Sequence, residues 1–290
     1  MCGRFACTLK KVDIAKYVSY TEQSEVKEPA WVKISKLATD YCPCANIGPG
    51  SYTPVLFSDK NLCSVSAKEH KNDTMFLTQM KWGLIPSWHK GNEEGFKFRM
   101  INCRGDSLRE KASFRKPFEL GQRCVVVAEG FYEWKSAEYK KQPYFIKPSD
   151  KQLLAMAAVY DKWVGPGSEE PLYSYTIVTV DASESMKYIH DRMPAILEST
   201  EEMQLWLSLP PSKAFELIRS VNSLQWHPVS TFVNNVKNKS PECLKEIKPR
   251  QVHESTSSKL MCNWLKRSSE TSIESESQAG PKQTKLIKQS

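Results

Sequence analysis

The chain has 290 residues, 40% of them hydrophobic, enough for one large domain or two small ones around an ordinary core. Its net charge of +8 suits a polyanionic partner, although charge alone says nothing about sequence preference. No apolar run reaches the roughly 18 residues of a bilayer span and no charged-then-apolar leader is present, so neither a membrane protein nor a secreted one is expected.

In chain order, the first feature is "MCGRF". Aminopeptidases remove an initiator methionine ahead of a small side chain, and cysteine is small enough. Cys2 would then carry a free α-amine and a thiol on adjacent carbons, a 1,2-aminothiol that no internal cysteine provides. An uninformative start site is the plain alternative for so short a motif. The nine cysteines (Cys2, Cys7, Cys42, Cys44, Cys63, Cys103, Cys124, Cys243 and Cys262) are odd in number and without framework spacing, which points to free thiols in a reducing compartment. Cys42-Pro-Cys44 is the one close pair, and its single intervening residue is too tight for a zinc knuckle, so no metal and no cofactor is expected.

Strand-like runs follow. "TMFLTQMKWGLI", "RCVVVAEGFYEW", "QPYFIK", "LLAMAAVYDKW" and "YSYTIVTVDA" are rich in β-branched and aromatic residues and bounded by Gly, Pro, Asp or Asn. Three helices are predicted. One starts near Ser107, with Glu110 completing a capping box; one starts at Ser199, with Glu202 at the same spacing; a third follows Pro211 through Leu217 and Ile218. Helices separated by long strand-rich stretches, without βαβ alternation, indicate an α+β domain with a mostly antiparallel sheet. From Glu254 onward, 12 of 37 residues are Ser or Thr, the composition of a disordered tail. Within it "SKLMCNWLKR" sets Leu260, Trp264 and Leu265 on one face of a brief helix, and the terminal "QTKLIKQS" lacks the paired aromatics of a sliding-clamp box.

Four segments place polar groups where an idle charge is costly: "INCRGD" with Asn102 and Arg104, "GFYEW" with Glu133, "IHDRMPAIL" with His190 and Arg192, and "KWGLIPSW" with Trp82 and Trp88. Taken singly, each has an ordinary structural explanation. Strand alternation puts Glu133 on the face opposite Tyr132 and Trp134, where it can point outward; His190 can be a core or turn residue. The arginines can be surface charges, the tryptophans packing residues, and Asn102 a turn residue.

Read in order, MCGR, WGLIPSW, NCR, GFYEW and IH-x-RMPAIL resemble the SOS response-associated peptidase (SRAP) family, from residue 2 to about residue 244. The resemblance implies one domain at residues 2–253 with a barrel-like β core and flanking helices, ahead of the tail at 254–290. It also implies a nuclear, chromosomal protein, monomeric, that acts on abasic sites in single-stranded DNA near junctions, without cofactor or membrane. A clamp or replication-fork partner is left open.

An abasic site equilibrates with a ring-opened aldehyde. An α-amine has a pKa near about 7.7–8.0 against about 10.4 for lysine, so the Cys2 amine is the better-poised nucleophile. An iminium alone promotes β-elimination; closure of the Cys2 thiol onto the same carbon gives a thiazolidine and leaves the strand intact. By resemblance, Glu133 and His190 serve proton transfer and Asn102 holds the sugar or the N-terminus. Arg104 and Arg192 pair with phosphates, with Arg4 a lesser candidate, and Trp82 stacks on a base. The chain departs from the family pattern at Asp191 and in "NCRGD", and matches it loosely around Pro43 and Asn46. Two other classes compete: a self-processing cysteine peptidase using Cys2, and a non-covalent reader of modified bases.

Overall fold

Strands buried from end to end need cover on both faces. Residues 123–128, 154–161 and 172–179 are of this kind. The computed structural model describes residues 2–22, 24–58, 74–96, 99–136, 141–150 and 153–248; the expected tail and its "SKLMCNWLKR" helix lie outside them.

The first half of the chain forms β1 (Arg4–Cys7), α1 (Lys11–Tyr17), β2 (Tyr20–Glu22), β3 (Glu25–Lys27), β4 (Ala30–Trp31), β5 (Cys44–Ile47), β6 (Tyr52–Ser58), β7 (Met75–Trp82), β8 (Asn102–Arg104) and α2 (Ala112–Glu119). The second half forms β9 (Arg123–Ala128), β10 (Gly130–Ser136), β11 (Lys141–Pro148), β12 (Leu154–Val164), β13 (Pro171–Asp181), α3 (Glu184–Lys187), β14 (Arg192–Pro194), α4 (Thr200–Ser208), α5 (Pro211–Ala214) and β15 (Leu224–Pro228).

Five strands pair antiparallel in the order β13-β12-β9-β6-β7, and a parallel pairing of β13 with β7, through Ser174–Lys81 and Tyr175–Trp82, closes the ring. This closed barrel carries the main core and removes two sheet edges. A second, five-stranded antiparallel sheet runs β15-β11-β10-β1-β5. The α+β, mostly antiparallel, barrel-like architecture agrees with the sequence reading.

The segment expected as one strand at 123–134 is instead two. Glu129 sits between β9 in the barrel and β10 in the second sheet; its N–H donates to the Ala6 carbonyl at 2.8 Å, and its carboxylate accepts the Thr8 N–H. The chain therefore passes from one sheet to the other within a single residue.

Helices α2 and α4 are fastened to β9 by a buried cation. Arg123 is 3% exposed and donates to the carbonyls of Trp206 (2.6 Å), Phe118 (3.4 Å) and Leu209. These are helix C-terminal carbonyls, where a positive charge is favourable. Burial pulls the guanidinium down to about 10. Helix α4 begins as its capping pattern predicts: the Ser199 hydroxyl accepts the Glu202 N–H at 3.2 Å. The helix expected at Ser107 starts later, at Ala112. The β8–β13 ladder continues into the Gly105 N–H, which donates to the Thr179 carbonyl at 2.8 Å, and residues 106–108 form a tight 3-10 turn instead.

Gly130 opens β10 at a point of close approach. A methyl group there would run into the Ile146 carbonyl oxygen and the Phe145 ring. Gly130→Ala is expected to destabilise the fold by about 1–3 kcal/mol, read as a lower denaturant midpoint at unchanged m-value.

Candidate active site

The β1–β10 ladder pairs Arg4 with Tyr132 and Phe5 with Phe131. Continued by one residue, that register sets Glu133 across from Gly3, next to Cys2. The opposite approach comes from β8: the Asn102 side-chain amide donates to the Cys2 carbonyl at 2.7 Å. Residues 100 positions and more apart thus meet at Cys2.

Cys2 is fully buried, and its thiol donates to the Arg4 carbonyl at 3.7 Å. Burial pushes this thiol far above its ordinary pKa, and the Glu133 charge raises it further. The thiol is therefore protonated at neutral pH. Glu133 is itself only 3% exposed. Strand alternation does put it opposite Tyr132 and Trp134, as expected. That face points into the molecule, however, because the second sheet is covered on both sides. The Asn102 amide oxygen is buried without a partner among the described residues, so the residue that holds Cys2 also retains an unmet acceptor.

Glu133 and Asn102 each line a hollow. One of about 450 Å³ is lined by Glu133, Trp134, Ser136, Lys141, His190 and Asn234. The other, of about 300 Å³, is lined by residues including Met100, Asn102, Arg104 and Lys111. Among the described residues, no group of three His, Cys, Asp or Glu side chains is placed to hold a metal ion.

Strand β13 gathers the remaining site residues. On one side it pairs with β8 (Thr179 with Arg104), on the other with β14 (Asp181 with Arg192). The two arginines thereby flank one strand end. Arg192 is largely buried; it pairs with the Asp181 carboxylate and donates to the Thr179 carbonyl at 2.7 Å, while its Nε–H is buried without a partner among the described residues. Arg104 is 56% exposed and grips Asp106 through Nε and Nη2, at 3.2 and 2.7 Å. This contact holds the Asp106 carboxyl below the usual carboxylate range.

His190 Nδ1 accepts the Arg192 N–H at 3.0 Å and lies 2.7 Å from the Asp191 carboxylate. Accepting that N–H and donating to that carboxylate require opposite protonation of Nδ1, so the two contacts compete for one ring nitrogen.

Two sequence-selected residues stand away from solvent-facing roles. Trp82 is 1% exposed: its indole N–H donates to the Ile101 carbonyl at 2.9 Å and its ring packs on Phe5 at 4.9 Å. In this position it supports the Cys2 strand from behind, and no base reaches its face. The Arg4 guanidinium donates to Asn46 Oδ1 (2.9 Å) and to the carbonyls of Val233 (3.0 Å) and Asn234 (3.2 Å).

Asn46, given no role from sequence, is fully buried, and its amide nitrogen donates to the carbonyls of Val233, Asn235 and Asn238 at 3.0, 3.1 and 2.9 Å. Arg4 and Asn46 together tie the 233–238 loop to β1 and β5. The signal was a buried amide in a strand, legible only once the loop that it satisfies is known to lie opposite.

Two environments separate the thiols. Exposed Cys42 should alkylate first, and Cys2 at least about tenfold more slowly until the protein unfolds. Glu133→Gln should move the Cys2 labelling profile to lower pH, because removing the neighbouring negative charge favours thiolate. Peptide mapping after iodoacetamide labelling across pH 7–10 reads both.

The SRAP family model, described as SOS response associated peptidase, matches residues 1–236. The chain is 41% identical over 298 residues to the abasic site processing protein HMCES of Gallus gallus, covering 94% of this chain and 86% of that protein. It is 33% identical over 252 residues to the abasic site processing protein YoqW of Bacillus subtilis, covering 84% of this chain and 99% of that one. A crystal structure of a Bacteroides thetaiotaomicron protein shares the fold with a TM-score of 0.66 at 24% identity, over 85% of this chain and all of that one. With its motifs, its fold and most of its length in agreement, the chain belongs to the SOS response associated peptidase family.

Proposed function

We propose that this protein captures abasic sites in single-stranded DNA as a covalent thiazolidine on Cys2, after removal of Met1. The observation that carries the reading is the convergence of Glu133 and Asn102 on Cys2, in a chain 41% identical to a protein named for abasic site processing.

The chemistry follows from the groups present. The Cys2 amine attacks the aldehyde carbon of the ring-opened sugar, and the carbinolamine hydroxyl takes a proton through Glu133 and leaves as water, giving an iminium. The Cys2 sulfur then bonds to that carbon, the C=N electron pair returns to nitrogen, and the thiol proton passes to the Glu133 carboxylate. One water is lost overall, and neither phosphodiester breaks. A thiol kept protonated by burial suits this order, because the sulfur acts second and beside its own base.

Asn102 fixes the Cys2 backbone, and its unmet oxygen suits an N–H of the new amine. The His190 imidazole suits proton exchange with the sugar oxygen, in ring opening and in reversal of the adduct. Arg104 and Arg192 suit the flanking phosphates, exchanging their present carboxylate partners for them. Single strands, or strands beside a junction, present such a lesion without broken base pairs. The reading carries with it action as a monomer on chromosomal DNA in the nucleus, where replication exposes single strands.

The peptidase reading is less well supported. The relatives that match most of this chain are named for abasic site processing, which favours DNA over a peptide bond as what Cys2 meets.

The test is intact mass after incubation of the untagged protein with an oligonucleotide carrying one abasic site. The expected species lacks Met1 and equals protein plus whole oligonucleotide minus one water; it survives heating and is absent in Cys2→Ala. Cleaved oligonucleotide with no lasting adduct would make the protein a lyase instead. Glu133→Gln should slow capture by on the order of 10²-fold. Arg192→Ala should weaken binding before chemistry and lower the salt slope by about one.

A further inference from the structure

The second sheet presents more than Glu133 on its site-facing side. Paired residues of an antiparallel ladder share a face, as do residues two apart. Glu133 pairs with Tyr144, and Ile146, two residues on, pairs with Trp226. Glu133, Lys135, Tyr144 and Trp226 therefore share one face. Tyr188 joins them from the segment that supplies His190, two residues away.

There the Tyr188 and Trp226 rings stack, centroids 5.1 Å apart and 13° from parallel. Buried Tyr144 props both from below with its ring edge-on, at 6.3 and 5.4 Å. The Lys135 ammonium lies 3.0 Å from the Tyr188 ring centroid. Despite this support, Tyr188 is 52% exposed and Trp226 36%. A large, rigid, half-exposed aromatic pair is an uneconomical surface for water and a good one for another flat ring.

We infer that the Tyr188–Trp226 stack forms a ledge on which an unpaired base next to the abasic nucleotide stacks, with the Lys135 ammonium leaving the Tyr188 ring for an adjacent phosphate. The inference rests on the abasic-site reading and specifies that site's substrate contact. Three observations select single-stranded nucleic acid as the occupant. The ledge continues from the catalytic carboxylate through one cross-strand neighbour, Tyr144. It carries a cation over the Tyr188 ring, and Lys141 lines the adjoining hollow. Both rings keep a third or more of their surface exposed, so a flat base can reach them. Stacking on an aromatic face tolerates any base, as a lesion-seeking protein requires.

The experiment uses the full chain and an oligonucleotide with an unreactive tetrahydrofuran abasic analogue, so that binding is read apart from chemistry. Fluorescence anisotropy at one stated salt concentration compares adenine with a second spacer at each neighbouring position. The unaltered chain should prefer adenine on one side by on the order of tenfold. Tyr188→Ala and Trp226→Ala should lose that preference, and Tyr188→Phe should keep it. Thermal melting identifies any variant that misfolds, and Tyr188→Ala, changed at a half-exposed ring, serves alone if Trp226→Ala does. A preference retained by folded Tyr188→Ala overturns the ledge while leaving the abasic-site reading standing. No binding by the unaltered chain to either oligonucleotide overturns both.

Discussion

Residues 123–136 run through the barrel and into the second sheet with only Glu129 between the two strands, and the site depends on that passage. Because β9 is held on both edges by barrel neighbours, β10 leaves the barrel in a set direction and meets β1 in one register. That register delivers Glu133 to the start of the chain. The parallel closure between β13 and β7 does the same on the other side, since β13 also carries β8 and β14. A site assembled from five distant segments thus rests on two features of strand pairing, and side-chain contacts such as the Asn102–Cys2 bond refine it.

The electrostatics divide into two regimes. Around Cys2 the charges are buried: a carboxylate beside a thiol disfavours thiolate, and desolvation acts in the same direction. Arg104 meets solvent and Arg192 is largely buried, yet each holds a carboxylate that is more than half exposed. The exposed Arg104–Asp106 pair contributes little stability and exchanges readily for another anion. Arg4 shows the contrast: burial lowers its pKa, and its donors are spent on carbonyls that hold a loop in place. Three arginines that look alike as letters therefore differ in what they are free to bind.

The aromatic residues were the least legible part of the site. Trp82 and Trp88 sit six residues apart in one motif, yet one is 1% exposed and the other 50%. No pattern in "KWGLIPSW" distinguishes them, because Trp82 is buried by Phe5, which arrives from the other end of the sequence. Tyr188 and Trp226 carry no shared motif at all; they become neighbours only when β15 pairs with β11 and the segment before β14 folds over it. The outward-pointing alternative for Glu133 fails for a related reason. Period-two alternation assigned its face correctly, but alternation cannot tell a solvent face from one covered by a second layer.

By itself, the sequence determined the strand-rich α+β class, the capped start of α4, the free-thiol chemistry and the family, because these depend on local propensity, composition and the order of motifs. The tertiary structure decided which charges are buried and which tryptophan is accessible. It also decided what Asn46 satisfies and where Cys2 meets its carboxylate. Those properties depend on contacts between residues far apart in the chain, and burial and desolvation belong to the space around a residue, whatever its neighbours in sequence.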